Sequence, residues 1–398
     1  MKYCVVIADG AAGWPLQGQG NKTCLELART PNLDAMAKEG IIGLARTVPD
    51  GMEPSSACAC MSVLGYDPTV YYKGRAAIEA KSMGIPVAQN EVVFRCNLVT
   101  VQDGRMFDYS AGHIATEEAR QIITSLNAKL GNDRLSFYPG VSYRHILKIK
   151  GGLDTLGATC TPPHDIPGKA IAEFLPKGQG SELLRDLMSR SEAVLKSHPV
   201  NLGRQARGEV PATTIWLFWG TGQIPEMPPF KQVYGLRAAM TSGVDLLRGL
   251  AQMADMEILE VPGVTDGLNN DYSAQANGAL KALDRHDLVV IHVEAPDEAG
   301  HGGSVAEKVK AIEQIDGEIL GRLRSWRGDS LRVLVMPDHP TPVEIRTHCP
   351  DPVPFLLWGQ EFKANGAKRF TEAEGKRTGL FLDRAHTIMP RLTGKSGT

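Results

Sequence analysis

Short runs of apolar, mostly β-branched residues recur along the chain, and each ends abruptly in a polar cluster. "CVVIADG" (Cys4–Gly10), "DLVVIHVEAPDEAGHGG" (Asp287–Gly303), "LRVLVMPDHPTP" (Leu331–Pro342) and "VPFLLWG" (Val353–Gly359) share this form. None alternates apolar with polar positions. Continuous runs of this length predict strands buried on both faces, as in a parallel sheet covered by helices. Between them the period changes. "KTCLELARTPNLDAMAKEG" ends in a glycine suited to a helix C-terminus, and "GVDLLRGLAQMADM" leads into the short strand-like "EILEVPG". "SVAEKVKAIEQIDGEILGRLRSW" carries apolar residues at helical spacing. Strand–helix alternation at both ends of the chain predicts an α/β fold with a doubly wound, mostly parallel sheet. No fixed repeat is visible.

The middle of the chain reads differently. From about Glu91 to Pro211 it holds more polar strand-like pieces, "VVFRCNLVTV" and "VSYRHILKIKG", with one amphipathic helix, "TEEARQIITSLNAKLG". Pro and Gly clusters, "TPPHDIPG" and "FLPKGQG", punctuate it. This predicts an α+β module at 91–211 inserted into a core made of 1–90 and 212–398.

Composition narrows the function classes. Of 398 residues, 42% are hydrophobic and 22% charged, and the formal net charge is −2. Such a chain has no overall pull toward nucleic acid or an anionic membrane, so neither is an expected partner. The apolar run at the N-terminus is too short for a signal-peptide core, and no stretch reaches the length of a membrane span. The expected compartment is the cytoplasm. Seven cysteines spread over this length predict reduced, buried thiols rather than a disulfide framework. Oligomeric state is not legible.

Candidate chemistry sits where the strand-like runs end. In an open parallel sheet, ligands bind beyond the carboxyl ends of the strands. Asp9 follows the first run, Asp297 and His301 the second, and Asp338 and His339 the third; His348 lies just before the fourth. "DEAGH" spaces Asp297 and His301 by one helical turn, so both can face one ion. The adjacent pair Asp338–His339 is expected to point apart, which suits two neighbouring ions. Each residue alone is commonplace as a turn or cap. Together they predict a divalent-metal site, with Mn²⁺ first and Zn²⁺, Co²⁺ or Mg²⁺ as alternatives.

These motifs, "DG", "DEAGH", "PDHPTP" and "THCPDPVPF", resemble the metal-binding motifs of the alkaline phosphatase superfamily. Within it the chain is similar over nearly its whole length to the archaeal-type, cofactor-independent phosphoglycerate mutases. "SVLGYDP", "YYKGRAAIEA", "YSAGHIATEEA" and "CTPPHDIPG" carry that likeness. The resemblance implies an alkaline-phosphatase-type core with an inserted α+β lid. It implies two divalent ions, no 2,3-bisphosphoglycerate, and a small phosphorylated hydroxy acid as substrate. The implied reaction is the interconversion of 3- and 2-phosphoglycerate in glycolysis and gluconeogenesis, through a phosphoserine. Two other activities of this kind of site stay open, a homoserine kinase-like phosphotransfer and a metal-dependent phosphatase.

The family's usual nucleophile segment is Pro-Gly-Ser-acid-X-Ala-Asn-Met-Ser-X-Leu-Gly-Tyr-Asp. Aligning "MSVLGYD" backwards places the nucleophile at Ser56, in "PSSACACMSVLGYD". Ser55 then replaces the glycine, Ala57 the acid and Cys60 the asparagine. The resemblance divides the ligands into Asp9, Ser56, Asp338 and His339 for one ion, and Asp297, His301 and His348 for the other. In the lid, His113, Arg144, His164, Asp165 and Arg204 are candidates for substrate binding, with Arg75 at the core–lid junction. Arg204 is equally read as a surface residue, and His145 as structural. Cys58 and Cys60 lie about 200° apart around a helix, too far to grip one ion together; both are expected as buried thiols, with Cys60 able to line the site.

Overall fold

The computed structural model describes residues 1–223 and 226–395. The chain divides into two compact units, Met1–Tyr72 with Glu226–Thr398, and Lys73–Pro225. The inserted unit is thus longer at both ends than the 91–211 expected from sequence. Its own sheet requires the extra residues. Thr214–Thr221 pairs antiparallel with Glu91–Gln102, Trp216 opposite Asn97. Ala76, Ala77 and Ala80 of the helix Arg75–Ser82 pack against Val93 and Ile146.

The first unit holds an eight-stranded sheet in the order Glu257–Ile258, Ala238–Thr241, Leu288–Val293, Lys2–Ala8, Leu331–Met336, Val353–Trp358, Ile41–Ala45, Phe381–Leu382. Lys2–Ala8 is parallel to both neighbours, with Ile7 opposite His292 and Met336. Val5, Val6, Ile7, Val289 to Ile291 and Val333 to Met336 are buried, as two-sided strands require. Each such side chain contributes about 1.5–3 kcal/mol of burial.

One strand departs from expectation. Val353–Trp358 runs antiparallel to both its neighbours. The departure has a useful result. An antiparallel strand starts at the edge where Leu331–Met336 ends, so the loop carrying His348 stays at that edge. The shared register then brings Asp9, Glu294 and Asp338 out together.

The second unit is built on a five-stranded antiparallel sheet of Arg105–Asp108, Glu91–Gln102, Arg144–Lys150, Leu135–Tyr138 and Thr214–Thr221. Helices Thr116–Leu130 and Ser181–Lys196 cover it, placing Ile122, Ile123, Leu126, Leu184 and Leu187 in one core with Leu98, Ile215 and Leu217. The seven cysteines are free, and Cys160 is the one not fully buried. Among the described residues no helix is long and apolar enough to cross a membrane.

Candidate metal centre

Backbone geometry at the first strand end sets the site. Asp9 N donates to Val293 O at 3.0 Å, which holds the aspartate beside the neighbouring strand. Gly10 then turns the chain with φ +59°, and a Cβ there would lie 2.4 Å from Asp297 Oδ1 and 2.8 Å from Asp297 Cα. Only glycine fits both the angle and the approach. Its N–H donates to Asp338 Oδ1 at 3.1 Å.

Asp297 and His301 lie on one face of the helix Ala295–His301, as their spacing predicts, with Oδ2 and Nε2 3.1 Å apart. The Asp338–His339 pair does not diverge. Asp338 Oδ1 accepts from the N–H of His339 at 2.8 Å, and His339 Nε2 comes to 3.3 Å from Asp338 Oδ2. The chain has left the strand at this point, so the alternation expected of extended backbone no longer applies. His339 Nε2 also lies 3.6 Å from Asp9 Oδ1 and 3.2 Å from Ser56 Oγ.

Ser56 begins the helix Ser56–Val63, every residue of which is buried. Ser55 caps it, its Oγ accepting from Cys58 N at 3.4 Å. Ser55 takes the position usually held by glycine without strain, because its φ of −148° is ordinary extended backbone. The two cysteines part as expected. Cys58 packs with Val48 and Ala59, whereas Cys60 Sγ lies 3.4 Å from Asp338 Oδ2.

Two of the candidate histidines are each held by a backbone carbonyl at Nδ1. His301 Nδ1 is 2.9 Å from Arg346 O, and His348 Nδ1 is 3.1 Å from Pro54 O. A carbonyl can only accept, so each Nδ1 carries a proton, and each Nε2 is the ring atom turned toward Asp297. The two Nε2 atoms meet at 2.9 Å, and His348 Nε2 is 3.5 Å from Asp297 Oδ1. The ligand atoms of Asp9, Asp338 and His339 gather within 4.8 Å of one another, as do those of Asp297, His339 and His348.

Electrostatics call for a cation. Burial, reinforced by Asp338, Glu294 and Asp297, holds Asp9 well above the usual carboxylate range. Burial and Asp297 likewise raise Glu294. Burial alone would raise Asp297, but hydrogen bonds and charge from His301 and His348 outweigh it and hold it well below. His339 is pushed down to about 4 by burial, against the pull of Asp338. Among the described residues, the ion pairs of Asp9, Asp297 and Asp338 are with histidines alone. Asp9 Oδ1 is buried with no hydrogen-bond partner. Buried acid without a fixed counter-charge is costly, and the oxygen–nitrogen donor set fits divalent ions.

Sequence reasoning missed His292, Glu294 and Thr341. His292 reads as a strand interior residue, yet its Nε2 is 2.7 Å from Asp9 Oδ2. The register of parallel strands, Ile7 opposite His292, is the signal that finds it. Thr341 Oγ1 donates to Asp297 Oδ1 and lies 3.3 Å from His339 Nδ1, so it ties the two ligand groups together.

The candidates of the inserted unit assemble on an aromatic cluster. Arg75 lies 4.8 Å over the Trp219 ring, and Trp219 packs on His164 at 5.6 Å between ring centroids. His164 meets Tyr109 at 6.3 Å, Tyr109 meets Tyr143 at 6.0 Å, and Tyr143 contacts both His113 and Arg144. Asp165 stands beside His164, its side chain largely exposed. Arg204 is the exception. It is buried, bonding Glu118, Ala111 O and Val210 O inside the unit, which is a structural role. His145 is structural as expected, its buried ring accepting from Gly140 N at 3.0 Å.

A family model described as 2,3-bisphosphoglycerate-independent phosphoglycerate mutase matches residues 37–201. Proteins of that name from Methanosarcina barkeri and Methanothrix thermoacetophila are each 48% identical over 395 residues. The match covers 98% of this chain in both cases, and 98% and 99% of theirs. Among solved structures, a Pyrococcus horikoshii protein superposes with a TM-score of 0.83 at 25% identity, covering 100% of this chain and 98% of that one. The cofactor-independent phosphoglycerate mutase of Thermoplasma acidophilum gives 0.65 at 25% identity, covering 99% of both chains.

Proposed function

The chain belongs to the 2,3-bisphosphoglycerate-independent phosphoglycerate mutase family, and on that premise we propose that it interconverts 3- and 2-phosphoglycerate through a phosphoserine at Ser56. One observation carries the reading. Ser56 Oγ stands at a helix start, 3.2 Å from His339 Nε2, in a centre of buried acids and inward-facing imidazoles.

In this reading Asp9, Ser56, Asp338 and His339 hold one divalent ion, and Asp297, His301 and His348 the other. Mn²⁺ is the first choice, with Mg²⁺, Zn²⁺ and Co²⁺ as alternatives. Such ions lower the pKa of the serine hydroxyl and neutralise charge on the phosphoryl group. Ser56 Oγ attacks phosphorus, the bond to the substrate 3-oxygen breaks, and the 3-oxygen receives the proton that Ser56 gives up. The 2-hydroxyl of the same glycerate then attacks, the Ser56–phosphorus bond breaks, and the proton that the 2-hydroxyl gives up returns to Ser56 Oγ. The helix N-terminus offers N–H donors to the phosphoryl oxygens. Because Ser56 itself carries the phosphoryl group, no 2,3-bisphosphoglycerate is consumed. Arg75, His113, Arg144 and His164 are the groups suited to the substrate carboxylate and hydroxyl, with the aromatic cluster limiting their freedom.

An enolase-coupled assay tests the reading. Turnover should vanish on chelation, return with added divalent ion, and fall about a thousandfold or more in Ser56→Ala. Turnover that survives chelation or the alanine substitution overturns it.

A further inference from the structure

The ion positions just described leave part of the centre unused. Cys60 is fully buried, but it turns away from the apolar side taken by Cys58 and lies against Asp338 Oδ2 at 3.4 Å. His292 is buried at the opposite oxygen of Asp9 from His339. Its Nε2 is 2.7 Å from Asp9 Oδ2, while His339 Nε2 is 3.6 Å from Asp9 Oδ1. One ligand atom each from Asp9, Cys60 and His292 lies within 4.8 Å of the other two. It shares Asp9 with the group formed by Asp9, Asp338 and His339 and draws its other two donors from different side chains.

Two further observations point to a cation there. Glu294 Oε2 is shielded from solvent, has no hydrogen-bond partner, and stands 3.6 Å from His292 Nε2. His292 is also oriented as a ligand would be. Its Nδ1 lies 3.0 Å from Ser242 Oγ, which is itself fixed by accepting from Val244 N at 3.1 Å.

We infer that Asp9, Cys60 and His292 form a third, sulfur-containing ion position, for a thiophilic divalent ion of the zinc type. The position shares Asp9 with the mutase reading and does not otherwise depend on it. One sulfur, one nitrogen and one oxygen donor make a borderline-soft set, which favours Zn²⁺ or Co²⁺ over Mg²⁺ and Mn²⁺. Glu294 Oε2 is placed to supply a fourth donor. Ion binding replaces the Cys60 thiol proton, which leaves to solvent. The imidazole proton of His292 then resides on Nδ1, where Ser242 Oγ accepts it, and Nε2 is free to bind.

The test is a Co²⁺ titration of the metal-stripped full chain under inert gas, reading near-ultraviolet thiolate-to-cobalt absorption and bound cobalt per chain. The wild type should show the band. Cys60→Ser should lose the band and one bound ion per chain, and Cys60→Asn should do the same if the serine variant is poorly folded by circular dichroism. Cys58→Ser and His339→Ala should both keep it. Cobalt binding without the band in the wild type overturns the inference, as does a band that survives in a folded Cys60 variant. A band lost in His339→Ala also overturns it, since the sulfur would then serve the mutase ion. Failure of the mutase reading shows separately, as absent isomerisation in a protein that still gives the band.

Discussion

Ser56 and His145 show how a residue's surroundings decide its role. Ser56 is an unremarkable side chain whose hydroxyl becomes a candidate nucleophile through what lies within reach of it: His339, and beyond it Asp9 and Asp338. His145 is buried beside Arg95 and Arg144, and burial, reinforced by those charges, pushes its pKa down to about 3. An unfolded histidine titrates near 6.5. Between those values the unfolded chain binds the extra proton, so stability is full above about pH 6.5 and falls as pH drops toward 3. The loss approaches about 1.4 kcal/mol per pH unit. Urea unfolding of wild type and His145→Gln at pH 7 and pH 5 checks this, and the variant should show the shallower pH dependence. At this scale the acids and histidines with a motif around them, which the structure gathers at one strand edge, were legible in the sequence as candidates. Glu294 and His292 were not, because a polar residue inside an apolar run reveals its direction only once strand register is known.

The decisive elements are strand ends and the tight turns after them. Gly10 is the sharpest case. Replacing it with alanine forces a Cβ against the Asp297 backbone from a left-handed conformation. We expect Gly10→Ala to destabilise by about 2 kcal/mol or more and to weaken ion binding by displacing Asp297. Thermal unfolding and metal content after dialysis measure the two effects, and a variant with wild-type values in both would contradict the geometry. The parallel strands and the Asp297–His301 helix followed from periodicity and spacing. The antiparallel Val353–Trp358 strand did not, since a buried run looks the same in either direction. The expected divergence of Asp338 and His339 failed for a related reason: the strand had already ended.

On the scale of the whole molecule, the two sets of candidate residues fall in different units. The Met1–Tyr72 and Glu226–Thr398 unit holds the acid–imidazole centre, and the Lys73–Pro225 unit holds the arginine and histidine candidates on their aromatic cluster. The insertion was visible in sequence as a change of pattern. Its limits were not, because the strand Thr214–Thr221 belongs by pairing to a sheet more than a hundred residues earlier. Replacing Arg144 with alanine should raise KM about tenfold to a hundredfold, the worth of a charged hydrogen bond, with little change in thermal stability. An unchanged KM would remove Arg144 from substrate binding. In the proposed reaction the phosphoryl group passes through Ser56. Acid-quenched turnover of ³²P-labelled 3-phosphoglycerate, followed by peptide mapping, tests it directly. Label should appear on the peptide containing Ser56 and chase into 2-phosphoglycerate; isomerisation at the normal rate with no label on Ser56 would rule out the phosphoserine.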